Sequence, residues 1–149
     1  MNKQEFLKYY MAGQRVFNGT VLRGVDLSGA NLERIILNDV NLSNANLVNA
    51  NLELAQFSNT DLTNANLSGA NLYCTQWYGS NLTNANLTNT DLTSIIFDGA
   101  NLTGTNMINA DNLTGSMKDA VFYNTFMPDG SVFTDPHHAF LREMWELKD

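Results

Sequence analysis

The chain has 149 residues and a net charge of −7, with 8 Lys and Arg against 15 Asp and Glu, a size that fits one domain with a continuous core. Its scattered cations disfavour direct nucleic-acid binding, which needs clustered Lys and Arg on phosphates; the acidity serves solubility or attraction to basic partners. With no apolar run of membrane-spanning length, no signal core after Met1-Asn2-Lys3-Gln4-Glu5 and a single cysteine, Cys74, that excludes an internal disulfide, the expectation is a cytoplasmic protein away from membranes.

Taken in order, residues 1–14 read as an N-terminal capping segment. A helix is expected over 3–12, with Asn2 as its N-cap and Gly13 just past its end. Phe6, Leu7, Tyr10 and Met11 form its apolar stripe. A solenoid exposes the backbone of its first coil, so the expected role is a lid on that end.

Residues 15–129 form a repeat, and its step is five. From Leu42 the centres run Leu47, Leu52, Phe57, Leu62, Leu67, Leu72, Trp77 and on to Phe97, Leu102 and Met107, all large and apolar. Two residues before each centre sits a small or β-branched residue, such as Ala45, Thr60 or Ala65, and between them mostly Asn or Asp. A step of five matches neither the 3.6 spacing of a helix nor the 2 of a strand. It fits a short extended step followed by a turn. Gly and Asn recur at the turn, as at Gly29, Asn44, Asn49, Asn59 and Gly69, because they accept positive φ at least cost.

The aromatics count the sides. Phe17, Phe57, Trp77 and Phe97 fall on a lattice of twenty with Leu37 in the remaining site, so four pentads make a coil. These five residues are the expected core stack, with rings at favourable separations for strands ~4.8 Å apart.

Runs such as Ala45-Asn46-Leu47, Ala65-Asn66-Leu67-Ser68-Gly69-Ala70-Asn71-Leu72 and Ala85-Asn86-Leu87-Thr88-Asn89 resemble the pentapeptide-repeat family, whose consensus is A(D/N)LXX, and are similar to its cyanobacterial members. The resemblance covers residues 15–129. It implies an all-β solenoid, the right-handed quadrilateral β-helix, here with short α-helices at the N- and C-termini. It says little about function, because a fold hosts many functions.

The faces differ in their outward residues. Files such as Asn46, Asn66, Asn86 and Asn106 read as amide ladders that hydrogen-bond along the rod. Ser43, Thr63, Thr83 and Thr103 make a single hydroxyl row hemmed by Asn and Asp, a poor ice-binding surface. The hydroxyls of Thr60, Thr75, Ser80, Thr90 and Thr105 face the core and must bond backbone carbonyls. On the aromatic face the file is Val16, Ile36, Gln56, Gln76, Ile96, with Tyr73, Cys74 and Tyr78 beside or on it. Ile36, Gln56, Gln76, Tyr78 and Ile96 are therefore the candidate partner surface.

The pattern breaks at residues 110–119, where the frame puts Asn112 at a buried centre. A helical turn that swings Leu113 inward is expected there. Met127-Pro128-Asp129-Gly130-Ser131 reads as a closing turn. The tail, 130–149, carries a second helix capped by Asp135 with Pro136 at its first position. Its Phe140, Leu141, Met144 and Trp145 are candidate contacts, and three placements stay open: over the last coil, along the aromatic face, or against a second copy in a homodimer. His137 and His138 point about 100° apart on a helix and lack a third ligand, so no metal site is read from them.

No phosphate loop, activated nucleophile or isolated carboxylate pair emerges, so neither an enzyme nor a cofactor is expected. Three functions follow. The first is a rod that binds a protein partner through the aromatic face. The second comes from the resemblance, which implies that some relatives mimic duplex DNA and bind DNA gyrase; those are long, strongly acidic dimers, whereas the ladders here are neutral Asn. The third is a purely structural or stress-associated role.

Overall fold

The computed structural model describes residues 1–134. The chain opens with helix α1 (Lys3–Met11). The Asn2 side chain accepts from the Glu5 N–H at 2.9 Å, and the Glu5 carboxylate accepts from the Asn2 N–H at 3.2 Å, so two otherwise orphaned donors at the helix start are satisfied reciprocally. Phe6 is fully buried and packs on Phe17 at 4.7 Å between ring centroids. Lys3 pairs with Asp26 at 3.8 Å and the Tyr10 hydroxyl donates to the Glu33 carbonyl at 3.0 Å. The helix thus touches two different sides of the first coil and puts Phe6 at the head of the interior column, which is how a lid sits. Arg15 stays outside, its guanidinium 4.0 Å above the Tyr10 ring.

From residue 16 the chain winds with a register of twenty. Val16 bridges Ile36, Val21 bridges Asn41, Asp26 bridges Asn46 and Asn31 bridges Asn51, all parallel, and the same four files continue up the rod as far as Asn106 with Phe126. Each side of a coil is so short that most bridges are single residues. The exceptions are β1 (Ile95–Ile96) on β2 (Gly115–Ser116), parallel, and β3 (Thr125–Phe126) on β4 (Val132–Phe133), antiparallel. A representative step is the Asn41 N–H donating down to the Thr20 carbonyl at 3.0 Å while the Leu42 N–H donates up to the Asp61 carbonyl at 2.7 Å.

The pentad centres fill the interior. Leu42, Leu52, Phe57, Leu62, Leu67, Leu72, Trp77, Leu82, Leu87 and Phe97 are inaccessible to water, and each such side chain contributes about 1.5–3 kcal/mol on burial. The small inward positions hold Ala or a hydroxyl residue. Ser80 donates to the Phe57 carbonyl at 2.6 Å, Thr90 to Leu87 and Thr105 to Leu82 at 2.7 Å each, Thr75 to Leu72 at 2.8 Å, and Thr60 to the Leu37 carbonyl. The expected bonds to carbonyls are present, so these buried hydroxyls carry no desolvation debt.

Residues 110–119 depart from the expected helical turn. The register of twenty persists, with Asp91 against Asp111 and Ile95 against Gly115, and no helical turn forms. Asn112 is exposed at φ 52° and Leu113 is half-buried against the core. The physical reason is backbone, not helix formation: two left-handed residues, Asn112 and Gly115 (φ 115°), bend the chain so that the polar amide turns out and Leu113 takes up part of its place. Gly115 then passes tightly against the Ile95 backbone. The chain closes with a turn in which the Gly130 N–H reaches the Met127 carbonyl at 2.9 Å and Asp129 accepts from the Ser131 N–H at 2.9 Å. The hydroxyl and N–H of Ser131 hold the Asp129 carboxyl below the ordinary carboxylate range.

Candidate functional site: the aromatic face and its corner

Ile36, Gln56, Gln76 and Ile96 form one unbroken parallel file, with Val16 bridging Ile36 at its start and Ser116 paired with Ile96 at its end. All four are half-buried, Val16 is exposed, and Tyr78 is 42% exposed. Directly inside lies the column Phe17, Leu37, Phe57, Trp77, Phe97, every member buried. Phe57 and Trp77 stack at 4.1 Å with planes 3° apart, and Trp77 meets Phe97 at 6.4 Å and 33°. The indole N–H donates to the Thr75 hydroxyl oxygen at 2.9 Å, which in turn donates to the Leu72 carbonyl. The face is therefore backed by a column whose largest ring is fixed in position. The candidate tail contacts Phe140, Leu141, Met144 and Trp145, and also His137 and His138, lie outside the described residues.

The other faces spend their polar atoms on the chain itself. In the file Asn46, Asn66, Asn86, Asn106 each side-chain oxygen accepts the backbone N–H two residues on, at 3.0–3.2 Å. The hydroxyls of Ser43, Thr63 and Thr83 donate to the carboxamide or carboxylate oxygen two residues earlier at 2.6–2.7 Å. An amide ladder between coils forms on the neighbouring face, where Asn71 donates to Asn51 at 3.2 Å and Asn51 to Asn31 at 3.1 Å. Amides used this way stabilise turns and strands and have less left for a ligand.

One feature of the site escapes a reading for Gly and Asn. The rod has four corner files in the left-handed region. Three use Gly, Asn or Asp throughout: Gly24, Asn44, Asn64, Asn84, Gly104; Gly29, Asn49, Gly69, Asn89, Asn109; and Gly19, Asp39, Asn59, Gly79, Gly99. The fourth holds Arg34, Leu54, Cys74 and Ser94 at φ 55–59°. Left-handed backbone costs such side chains about 1–2 kcal/mol apiece. This corner adjoins the aromatic face on one side. On its other side stand Glu33, Glu53, Tyr73 and Asp91, with Leu54 36% and Tyr73 40% exposed. The Tyr73 phenol is held above its ordinary range, chiefly by its hydrogen bond to the Cys74 thiol and by charge there, with Glu53 and Asp91 adding to the effect. The signal in the sequence was the phase of the repeat at which Asn and Gly disappear.

The strain has a measurable consequence. Leu54→Asn and Cys74→Asn are each expected to raise the unfolding free energy by about 1 kcal/mol, because Asn takes the same φ with less steric cost. Urea titration of the two single variants checks it; a loss of stability in both would mean that these side chains make contacts worth more than the strain.

Among the described residues, no three of His, Cys, Asp and Glu come together to hold a metal ion, and no helix is long and apolar enough to cross a membrane. The geometry defines a class: a four-sided repeat scaffold wound with a register of twenty residues per coil. The model for "Pentapeptide repeats" matches this sequence in 8 copies over residues 16–39, 35–73 and 78–111, and the chain belongs to the pentapeptide-repeat family, whose members form right-handed quadrilateral β-helices. The matched segments leave out 74–77, where Cys74 and Gln76 lie, and end before Asn112.

Among solved structures, the chain is similar to Rfr23, a pentapeptide repeat protein from the cyanobacterium Cyanothece 51142, at 25% identity and TM-score 0.60 over 78% of this chain and 97% of that one. It also shares the fold of QnrB1, a plasmid-mediated fluoroquinolone resistance protein, at 16% identity and TM-score 0.54 over 75% of this chain and 71% of that one. A search of curated protein sequences returns no match.

Proposed function

We propose that this protein is a non-catalytic scaffold that binds a protein partner through the aromatic face and its adjoining corner. The observation that carries this reading is the fourth corner file. Three files take the residues that fit a left-handed turn, and this one displays Arg34, Leu54 and Cys74 instead, next to the least polar outward file. Strain that a sequence keeps at one place, where easy relief is available, marks a surface retained for recognition. The family match passes over 74–77 at the same place. A strip of Ile36, Ile96, Leu54 and Tyr73, rimmed by Gln and carboxylates, has the make-up of a contact patch.

Mimicry of duplex DNA, with gyrase as the target, is the weaker reading. What favours it is the run of carboxylates Glu33, Glu53, Asp91 and Asp111 on one face; against it, the files elsewhere are mainly neutral Asn. Capture from source-cell lysate separates the readings. Wild type is expected to retain a protein that Ile36→Asp/Ile96→Asp, folded by circular dichroism, loses. Equal capture by both would sink the surface assignment, and inhibition or protection of gyrase supercoiling by both proteins alike would put mimicry ahead.

A further inference from the structure

Along the aromatic face the outward file reads the same in both directions. Ile36, Gln56, Gln76 and Ile96 follow one another at single-coil steps, so the point midway between Gln56 and Gln76 has a Gln and then an Ile on either side. The neighbouring outward positions balance about the same point. Ser58 stands against the exposed Tyr78, Asn38 against Asp98 and, at the strained corner, Leu54 against Cys74. Among the described residues the carboxamides of Gln56 and Gln76 have no hydrogen-bond partner, although both side chains are half-buried. The amides of the Asn46 file, by contrast, are taken up by their own turns. A carboxamide carries donor and acceptor together, so it is complementary to a second carboxamide.

Charge is distributed lengthwise. Residues 1–34 hold five Lys and Arg with three Asp and Glu, whereas residues 35–134 hold one Lys with eight Asp and Glu. Two copies lying side by side in the same direction set like charge against like. In opposite directions, the basic start of each meets the acidic far coils of the other. We propose that the occupant of the aromatic face is a second copy of this chain, laid antiparallel about a two-fold axis that crosses the file midway between Gln56 and Gln76. The pairing rests on the aromatic face being a binding surface, as proposed above, and names its occupant. A two-fold contact is reciprocal, so Gln56 of each copy faces Gln76 of the other and Ile36 faces Ile96. Leu54 faces Cys74, and Tyr78 stands over Ser58, where a small side chain leaves room for the ring. Arg34, whose side chain is 71% exposed, comes level with Asp91 and Asp98 of the second copy. Five steps of ~4.8 Å from Val16 to Ser116 make a strip ~24 Å long. That is the small end of specific interfaces, so the dimer is weak and reversible.

Sedimentation equilibrium of the full chain from about 1 μM to about 1 mM, the span of weak association, tests the pairing. Two double variants accompany wild type, their folding checked by circular dichroism. Wild type is expected to pass from monomer to dimer within this range. Gln56→Lys/Gln76→Lys sets lysine against lysine at both contacts and is expected to weaken the dimer at least ~10-fold. Gln56→Glu/Gln76→Lys sets Glu against Lys at both contacts only when the copies are antiparallel, and is expected to dimerise as well as wild type or better. Wild type that stays monomeric at about 1 mM overturns the proposal. So does a dimer that the lysine pair leaves intact, which places the second copy elsewhere, and a dimer that both variants weaken alike, which makes the copies parallel. A monomer whose Ile36→Asp/Ile96→Asp variant still loses a lysate protein removes the self-pairing and leaves the aromatic face as a binding surface for another protein. A monomer with equal capture by both removes the two together.

Discussion

Trp77→Ala is expected to lower the unfolding free energy by about 3–5 kcal/mol, among the largest effects of any single substitution in this rod. Trp77 is fully buried, stacked at 4.1 Å on Phe57 and in contact with Phe97. Truncation removes the widest side chain from the column, opens a void between two coils, and takes a donor from the Thr75 hydroxyl. Because each coil touches mainly its neighbours, a defect in the middle weakens two interfaces at once. Trp77→Phe keeps a ring in the stack and is expected to cost much less. Urea denaturation followed by far-ultraviolet circular dichroism compares the two. A Trp77→Ala cost below about 1 kcal/mol, the ordinary scale of a point substitution, would contradict a packed column behind the aromatic face.

The second large effect is expected at Gly115. A Cβ built there would lie 2.0 Å from the Ile95 carbonyl oxygen and 2.9 Å from its nitrogen, at φ +115°. Those atoms are backbone and are held in the β1–β2 pairing, so they cannot step aside. Gly115→Ala is expected to cost more than ~3 kcal/mol, above the usual range for a single strained residue, and to release the last coil. Gly29→Ala is the control: φ is +65° and nothing lies within 4 Å, so the cost is limited to ~1–2 kcal/mol of left-handed strain. Thermal melts rank the two, and hydrogen exchange locates the loss. If Gly115→Ala melts like Gly29→Ala, the tight passage of residues 112–116 against Ile95 is wrong.

Most of the rod was legible because one rule repeats. A step of five fixed the inward Leu and Phe, and the lattice of twenty that placed Phe17, Leu37, Phe57, Trp77 and Phe97 in one column is the bridge register itself. The capping box at Asn2 and Glu5 was readable for the same reason that local chemistry usually is: both partners lie within one helical turn. Residues 110–119 were not. A polar residue at a buried phase says that the chain must deviate, but Asn112 and Gly115 could resolve it by a helical turn or by two left-handed residues, and the choice depends on the Ile95 backbone twenty residues away.

The candidate surface was half legible. Ile36, Gln56, Gln76 and Ile96 stood out as the least polar outward file, whereas the corner of Arg34, Leu54, Cys74 and Ser94 did not, because strain is a property of φ and these residue types announce no turn. The amide ladder along Asn31, Asn51 and Asn71, in contrast to the turn-bound amides of the Asn46 file, rests on side-chain direction, which the repeat alone leaves open.

The central claim is that the fourth corner is kept for binding at the expense of stability. The most direct measurement takes one protein, Leu54→Asn/Cys74→Asn, and records both its urea midpoint and its capture of the partner that wild type retains. The account predicts a higher midpoint together with weakened capture. A higher midpoint with undiminished capture would contradict it, because the strained side chains would then be dispensable for recognition.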